Sequence, residues 1–328
     1  MKKLTAGIAV LCMITLALTS CSPREKTPAA GTAEAGDMLE MLPVEAQGVF
    51  FVNAKDVMAI EAVDEAIRKD ENYQKYLDFV QETGIDPQKD IYYVAAAMLP
   101  GDEESDQKGV GVVNLKYDPD ALIALIKEKS QEEGTTVTET EYSGLTIYLM
   151  ESEGEGDDGA FAFLDPSNIA VGNEVGIKSV IDVVKNDKDN VYKNQSMNDL
   201  LSKTSKNSML WGAVNIPAEA VADAASQNPM FQSLSSINAV TMNFDYKNQN
   251  ISAVIKMMSA DSAKNAEIAE SLTGIKSFGR MAAQENPEIG ELLDKIKIQS
   301  NDEMVEISAE IPESLIDKLR ASAETEQQ

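Results

Sequence analysis

The stretch "VTMNFDYKNQN" (Val240–Asn250) decides the fold class. Val240, Met242, Phe244 and Tyr246 fall on one side of an extended chain, and Thr241, Asn243, Asp245 and Lys247 on the other. Side chains alternate across a strand with a period of two, so this pattern specifies a strand with one apolar face for a core and one polar face for water. The turn-forming cluster "KNQN" (Lys247–Asn250) then joins it to a neighbour, which makes a hairpin. Val305, Ile307, Ala309 and Ile311 alternate with Glu306, Ser308 and Glu310 in the same way, as do Leu145, Ile147 and Leu149 with Thr146, Tyr148 and Met150. Further turn clusters stand at "DPSN" (Asp165–Asn168) and "SNDE" (Ser300–Glu303). Clean alternation of this kind belongs to antiparallel sheets.

Helical spacing punctuates the strands. Tyr73, Tyr76, Leu77 and Val80 share one helix face, and Gly84 suits a left-handed C-terminal cap. Asp118-Pro119 reads as an N-cap followed by proline in the first turn, ahead of Leu122, Leu125 and Ile126. A longer helical region opens near Ser259 with Ala269, Leu272, Ile275 and Phe278, breaks at Asn286-Pro287, and resumes with Ile289, Leu292, Leu293 and Ile296. The expected class is therefore α+β: antiparallel sheets built from hairpins, helices packed on one face, in repeated strand–helix–hairpin units.

The repetition shows in "VFFVNAKDVMAI" (Val49–Ile60), "VGVVNLKYDPDALIAL" (Val110–Leu125) and "LWGAVNIPAEAVADA" (Leu210–Ala224), each running a strand through Val-Asn into a helix. "VEISAEIPESLIDKL" (Val305–Leu319) repeats the joint with Glu310 in place of Asn. Asn53, Asn114 and Asn215 would form a ligand-binding row, or each would serve its own strand-to-helix corner through local backbone bonds; the second reading is favoured. The expected organisation is a signal peptide over 1–20, a flexible tether over 21–37, α+β domains over 38–200 and 201–320, and an unstructured tail over 321–328.

Composition narrows the chemistry. The chain contains no histidine and two cysteines, Cys12 and Cys21. Catalytic triads, cysteine nucleophiles and ordinary zinc sites need side chains that this chain lacks or would spend on its N-terminus. The net charge is -27, and no basic patch is interleaved with aromatics, which argues against nucleic acid. Carboxylates remain. The acidic loop holding Asp102, Glu103, Glu104 and Asp106 and the loop holding Glu151, Glu153, Glu155, Asp157 and Asp158 are weak calcium candidates at hairpin tips, without EF-hand spacing. A carboxylate-pair hydrolase is the alternative, but no motif singles out two of the 55 acids. The one Ser-x-x-Lys match, Ser105 to Lys108, lies in an acidic loop. The 15 methionines read as core filling.

At the N-terminus, Lys2-Lys3 precedes an apolar run from Leu4 to Leu18, followed by Thr19, Ser20 and Cys21. A charged start, a short apolar segment and small residues describe a secretory signal, too short for the roughly 20 residues of a membrane span. Leu18-Thr19-Ser20-Cys21 further resembles the lipobox of bacterial lipoproteins. That resemblance implies cleavage before Cys21, a diacylglycerol on its sulfur and an acyl chain on its new amino terminus, with no other cofactor. Two or more chains make a stable anchor. Ser22 in the next position implies sorting to an outer membrane, facing the periplasm, in a cell that has one. Sixteen tether residues from Ser22 to Asp37 would reach roughly 20–25 Å as a coil.

The body also resembles a group of bacterial envelope lipoproteins of unknown function. "LPVEAQGVFFVNAKDV" (Leu42–Val57), "TGIDPQKDIYYV" (Thr83–Val94) and "NPEIGELLDKIKI" (Asn286–Ile298) carry that likeness. It implies the fold and an envelope location only. The lipobox, the tether and the absence of the usual catalytic residues together lead to the expectation of a non-catalytic binding or structural module, held to the membrane by its lipid, with a protein partner in the envelope.

Overall fold

The computed structural model describes residues 38–101, 108–152, 159–217 and 229–326. Among the described residues, twelve strands and ten α-helices divide into two compact units, one ending at Gln195 and the other starting at Ser196. The strand pairs within each unit are antiparallel, and the class is α+β.

The first unit runs β1 (Gly48–Asn53), α1 (Ala54–Met58), α2 (Glu61–Lys69), α3 (Tyr73–Thr83), α4 (Pro87–Asp90), β2 (Ile91–Leu99) and β3 (Lys108–Leu115). It continues through α5 (Pro119–Glu133), β4 (Thr135–Tyr142), β5 (Leu145–Ser152), β6 (Gly159–Asp165), β7 (Asn168–Gly172) and α6 (Glu174–Val184). Its strands lie in the order β1-β2-β3-β7-β6-β5-β4.

Local chemistry fixes the helix ends. Asp118 Oδ1 accepts from the backbone of Asp120 and Ala121, Pro119 opens α5, and Gly134 ends it at φ 73°. Gly84 caps α3 in the same left-handed region, at φ 67°. Proline lacks the N–H that a first turn leaves unbonded, and glycine enters that region without a Cβ penalty. Asn173 caps α6 by accepting from Gly176 N at 2.8 Å.

Both faces of this sheet are covered. On one, Val113, Leu115, Ile169, Phe161 and Tyr148 pack with Phe79 of α3 and Leu125 of α5. Tyr148 stacks on Phe161 at 4.7 Å between ring centroids. On the opposite face, α6 lies against β3, β5, β6 and β7. Ala160, Ala162 and Ala170 are buried there, as are Ile177, Val180 and Ile181 of α6. Small alanines let the helix sit close to the strands. The expected helix layer on one face is thus joined by a second, which explains why Ile147 and Tyr148, successive residues pointing opposite ways, are both buried. Alternation at β5 does not separate a core side from a wet side.

The second unit comprises α7 (Gln195–Ser202), β8 (Leu210–Asn215), β9 (Ile237–Lys247), β10 (Asn250–Ser259), α8 (Ala263–Ala282), α9 (Pro287–Lys295), β11 (Ile296–Ser300), β12 (Val305–Pro312) and α10 (Glu313–Glu326). Its strands lie in the order β8-β9-β10-β12-β11. The expected β9–β10 hairpin is present. Its two-residue turn places Asn248 and Gln249 at φ 53° and 58°, the double positive φ of a type I′ turn. Asn286 caps α9 and Pro287 opens it. Helix α10 runs on to Glu326, correcting the expected end of structure near Arg320; Ala321, Ala323, Glu324 and Glu326 are strong helix formers. The helix expected after Pro217 lies outside the described residues. Among the described residues, no helix is long and apolar enough to cross a membrane.

Candidate binding surface

In the second unit, β9 is covered on the side opposite to the one its alternation predicts. Thr241 is 1% exposed and Asn243 is 8% exposed, whereas Val240, Met242, Phe244 and Tyr246 all remain partly exposed. The polar side is covered by the segment between α7 and β8. Asn243 Nδ2 donates to Ser205 O at 2.8 Å and to Ser208 Oγ at 3.2 Å, and its Oδ1 accepts from Ser205 N. Asp245 Oδ1 accepts from Met209 N, and Lys256 Nζ donates to Lys203 O. Trp211 stands opposite Asn243 in the register, on the same side, and is fully buried. Buried polar side chains persist because they find partners, and the loop backbone supplies most of them. Thr241 Oγ1 has no partner among the described residues.

The other side of this sheet is apolar except where the first row ends at Ser300 of β11. Register puts Val214, Val240, Met257 and Val305 in one row. The next row holds Gly212, Met242, Ile255, Ile307 and Ile298, and the third holds Leu210, Phe244, Ala253, Ala309 and Ile296. Helix α8 closes the first row: Ile268 is fully buried against Val305 and Ile237, with Val240, Met257 and Ala269 around them. The second and third rows stay partly open, Met242, Phe244, Ile255, Ile307, Ala253 and Ala309 all keeping solvent contact. Gly212, which is buried, and the partly exposed Ala253 and Ala309 are small and stand beside the bulkier Phe244, Ile255 and Ile307; the partly exposed stretch of these two rows is termed the apolar trough. Phe278 and Met281, on the helix that covers the neighbouring row, are 58% and 61% exposed. A surface of this kind can hold an apolar or amphipathic group; nothing in it supplies an acid, a base or a nucleophile.

The first unit has an open depression of about 770 Å³, lined mainly by charged and amide residues that include Glu40, Glu45, Asp165, Asp187, Lys188 and Asp189. Its wall is the loop after α6, where Lys188 Nζ pairs with Asp182 Oδ2 at 2.9 Å and Tyr142 donates to Asp182 Oδ1 at 2.8 Å. The hydrogen bond to Asp182 holds both the Lys188 ammonium and the Tyr142 hydroxyl above their ordinary pKa ranges. Among the described residues, no three cysteine or carboxylate side chains are arranged to hold a metal ion.

The residues singled out from sequence are distributed as follows. Cys21 and the calcium candidates Asp102, Glu104, Asp106, Glu153, Glu155, Asp157 and Asp158 lie outside the described residues. Asn53 does cap its helix, accepting from Asp56 N at 3.1 Å. Asn114 does not: it donates to Asn168 Oδ1 at 3.0 Å inside the sheet, and Asp118 takes the capping role. Asn215 Oδ1 accepts from Ser196 Oγ. The three asparagines thus have three separate partner sets. The alternation put Met242, Phe244, Ile307 and Ala309 on faces meant for a core; their partial exposure depends on tertiary packing, which no local pattern records.

No curated protein sequence matches the chain. Solved structures of a protein named TP0453 are similar to it: crystal form III at 12% identity and a TM-score of 0.49, covering 87% of this chain and 98% of that one. Crystal form I matches at 11% identity and a TM-score of 0.43, covering 89% and 98%. The family model described as "Protein of unknown function (DUF3352)" matches residues 66–277, from the middle of α2 into α8. That span is well over half of the chain, which therefore belongs to the DUF3352 family.

Proposed function

We propose that this protein is a lipid-anchored, non-catalytic module of the cell envelope, whose second unit binds an apolar or amphipathic ligand on the open rows of its sheet. The observation that carries the reading is the apolar trough. A sheet face with Met242, Phe244, Ile255 and Ile307 left partly exposed costs stability unless something covers it at least part of the time. The signal-like N-terminus and the lipobox-like Leu18-Thr19-Ser20-Cys21 support an envelope location, at an outer membrane facing the periplasm in a cell that has one. Incorporation of labelled palmitate that depends on Cys21 tests the anchor.

The binding reading is tested with a neutral apolar fluorophore, N-phenyl-1-naphthylamine, titrated into a chain that begins at Ser22. Saturable enhancement is expected, together with displacement by long-chain amphiphiles. Phe244→Asp places a carboxylate in the trough and should weaken probe binding by roughly tenfold or more, since a buried aromatic contact contributes about 1.5–3 kcal/mol. A folded Phe244→Asp variant that binds the probe as tightly as the parent contradicts the assignment.

A further inference from the structure

The outermost strands of the two runs are built differently. In the second unit, β11 (Ile296–Ser300) has five residues, carries Lys297, and follows directly on from α9. Shortness and a lysine are ordinary means of blunting an edge against strand addition. In the first unit, β4 has eight residues, "TTVTETEY", with no proline, no lysine and an unbroken register against β5. Its backbone has no other strand partner among the described residues.

The turn beyond β4 shows which of its backbone groups are free. Ser143 and Gly144 sit at φ 46° and 74° in a two-residue type I′ loop between Tyr142 and Leu145. The pair flanking such a loop is hydrogen-bonded, and bonded pairs then recur at every second residue. Tyr142, Thr140, Thr138 and Thr136 therefore bond to β5. Thr135, Val137, Glu139 and Glu141 direct their N–H and C=O groups outward. The side chains of those four residues share the face on which Lys127 of α5 pairs with Glu139. Thr136, Thr138 and Thr140, on the other face, are neutral and β-branched.

We propose that β4 is a docking edge for an extended basic segment of another protein, which would add to the sheet as an antiparallel strand. The charges select this occupant over a second copy of the chain. Pairing two β4 strands gathers Glu139 and Glu141 of both copies into one short ribbon, with a net charge of -27 on each chain. Like charges across strands oppose such pairing, and opposite charges favour it. A segment with lysines at alternate positions places cations beside Glu139 and Glu141 and leaves neutral side chains against the threonines. This site is separate from the apolar trough, so either assignment can fail alone.

The probe is a synthetic octapeptide with lysine at alternate positions and valine or threonine between, added to the full chain. Amide exchange read residue by residue should slow at Thr135, Val137, Glu139 and Glu141. Replacing Glu139 and Glu141 by Gln should weaken binding by roughly two- to thirty-fold, from two cross-strand charge pairs. N-methylation of alternate peptide amides keeps the charge and removes the backbone donors, so it should abolish the protection. Equal binding of the N-methylated peptide would overturn the proposal in favour of charge attraction alone. Unchanged exchange at those four amides would overturn it outright. Protection of the same amides in concentrated protein without peptide would assign the edge to self-pairing and would equally overturn it.

Discussion

Gly172→Ala is expected to destabilise the first unit by about 2–4 kcal/mol. Gly172 ends β7, paired with Val110 of β3, at φ 154°. A Cβ there would stand 2.5 Å from Gly109 O and 3.1 Å from Val110 Cα, both backbone atoms of the neighbouring strand. Neither can rotate away as a flexible side chain would. The substitution must separate β3 from β7, and with them the junction where Asn173 caps α6. Four residues later, a Cβ on Gly176 would stand 2.9 Å from Val110 Cβ, so the helix already sits as close to β3 as a glycine allows. Urea unfolding monitored by circular dichroism should show the loss. Gly274→Ala is the matched control: nothing lies within 4 Å of its added methyl in the middle of α8, and alanine there should be neutral or stabilising by up to about 1 kcal/mol. A Gly172→Ala variant with parental stability would mean that β3 and β7 do not approach as closely as described.

Trp211→Ala carries the largest expected loss in the second unit, about 3–5 kcal/mol. Trp211 is the only tryptophan, is fully buried, and sits under the α7–β8 segment beside the Asn243 bonds. Removing the indole leaves a large cavity and takes packing support from Ser205 and Ser208, whose bonds to Asn243 would then open to water. Far-ultraviolet dichroism is the suitable readout, because the variant lacks the fluorophore. The unit should unfold at markedly lower urea while β4 and β5 retain their protection. A loss below about 1 kcal/mol would show that the segment over Trp211 collapses onto the space or was never packed.

Periodicity carried the strands well. The alternation at Val240–Lys247, the "KNQN" turn, the Asp118-Pro119 start and the Asn286-Pro287 break all stand where their local chemistry puts them, because each depends on residues within a few positions. What alternation cannot encode is the cover. Thr241 and Asn243 look like a water-facing side, yet a segment some 35 residues away in sequence folds over them and satisfies Asn243 with loop backbone. Ile147 and Tyr148 look like a core residue and a surface residue, yet helices arriving from both directions bury both. The "ASAETE" run lacks an apolar face, so it reads as a tail, although its alanines and glutamates extend α10. The trough was hidden for the same reason. Its residues are as apolar as any core, yet α8 packs over the first row while Met242, Phe244, Ile255 and Ile307 keep partial exposure.

Thiol reactivity tests most directly which face of the second sheet is covered. A chain starting at Ser22 contains no cysteine, so single cysteines can be set into the two faces of the second sheet. Under native conditions Ile307→Cys should react with a maleimide on the order of tenfold faster than Thr241→Cys, because reaction needs an accessible thiolate. Saturating amphiphile should slow the first and leave the second unchanged. The opposite order, with the cysteine at 241 open and the one at 307 protected, would restore the conventional buried apolar face and contradict the account.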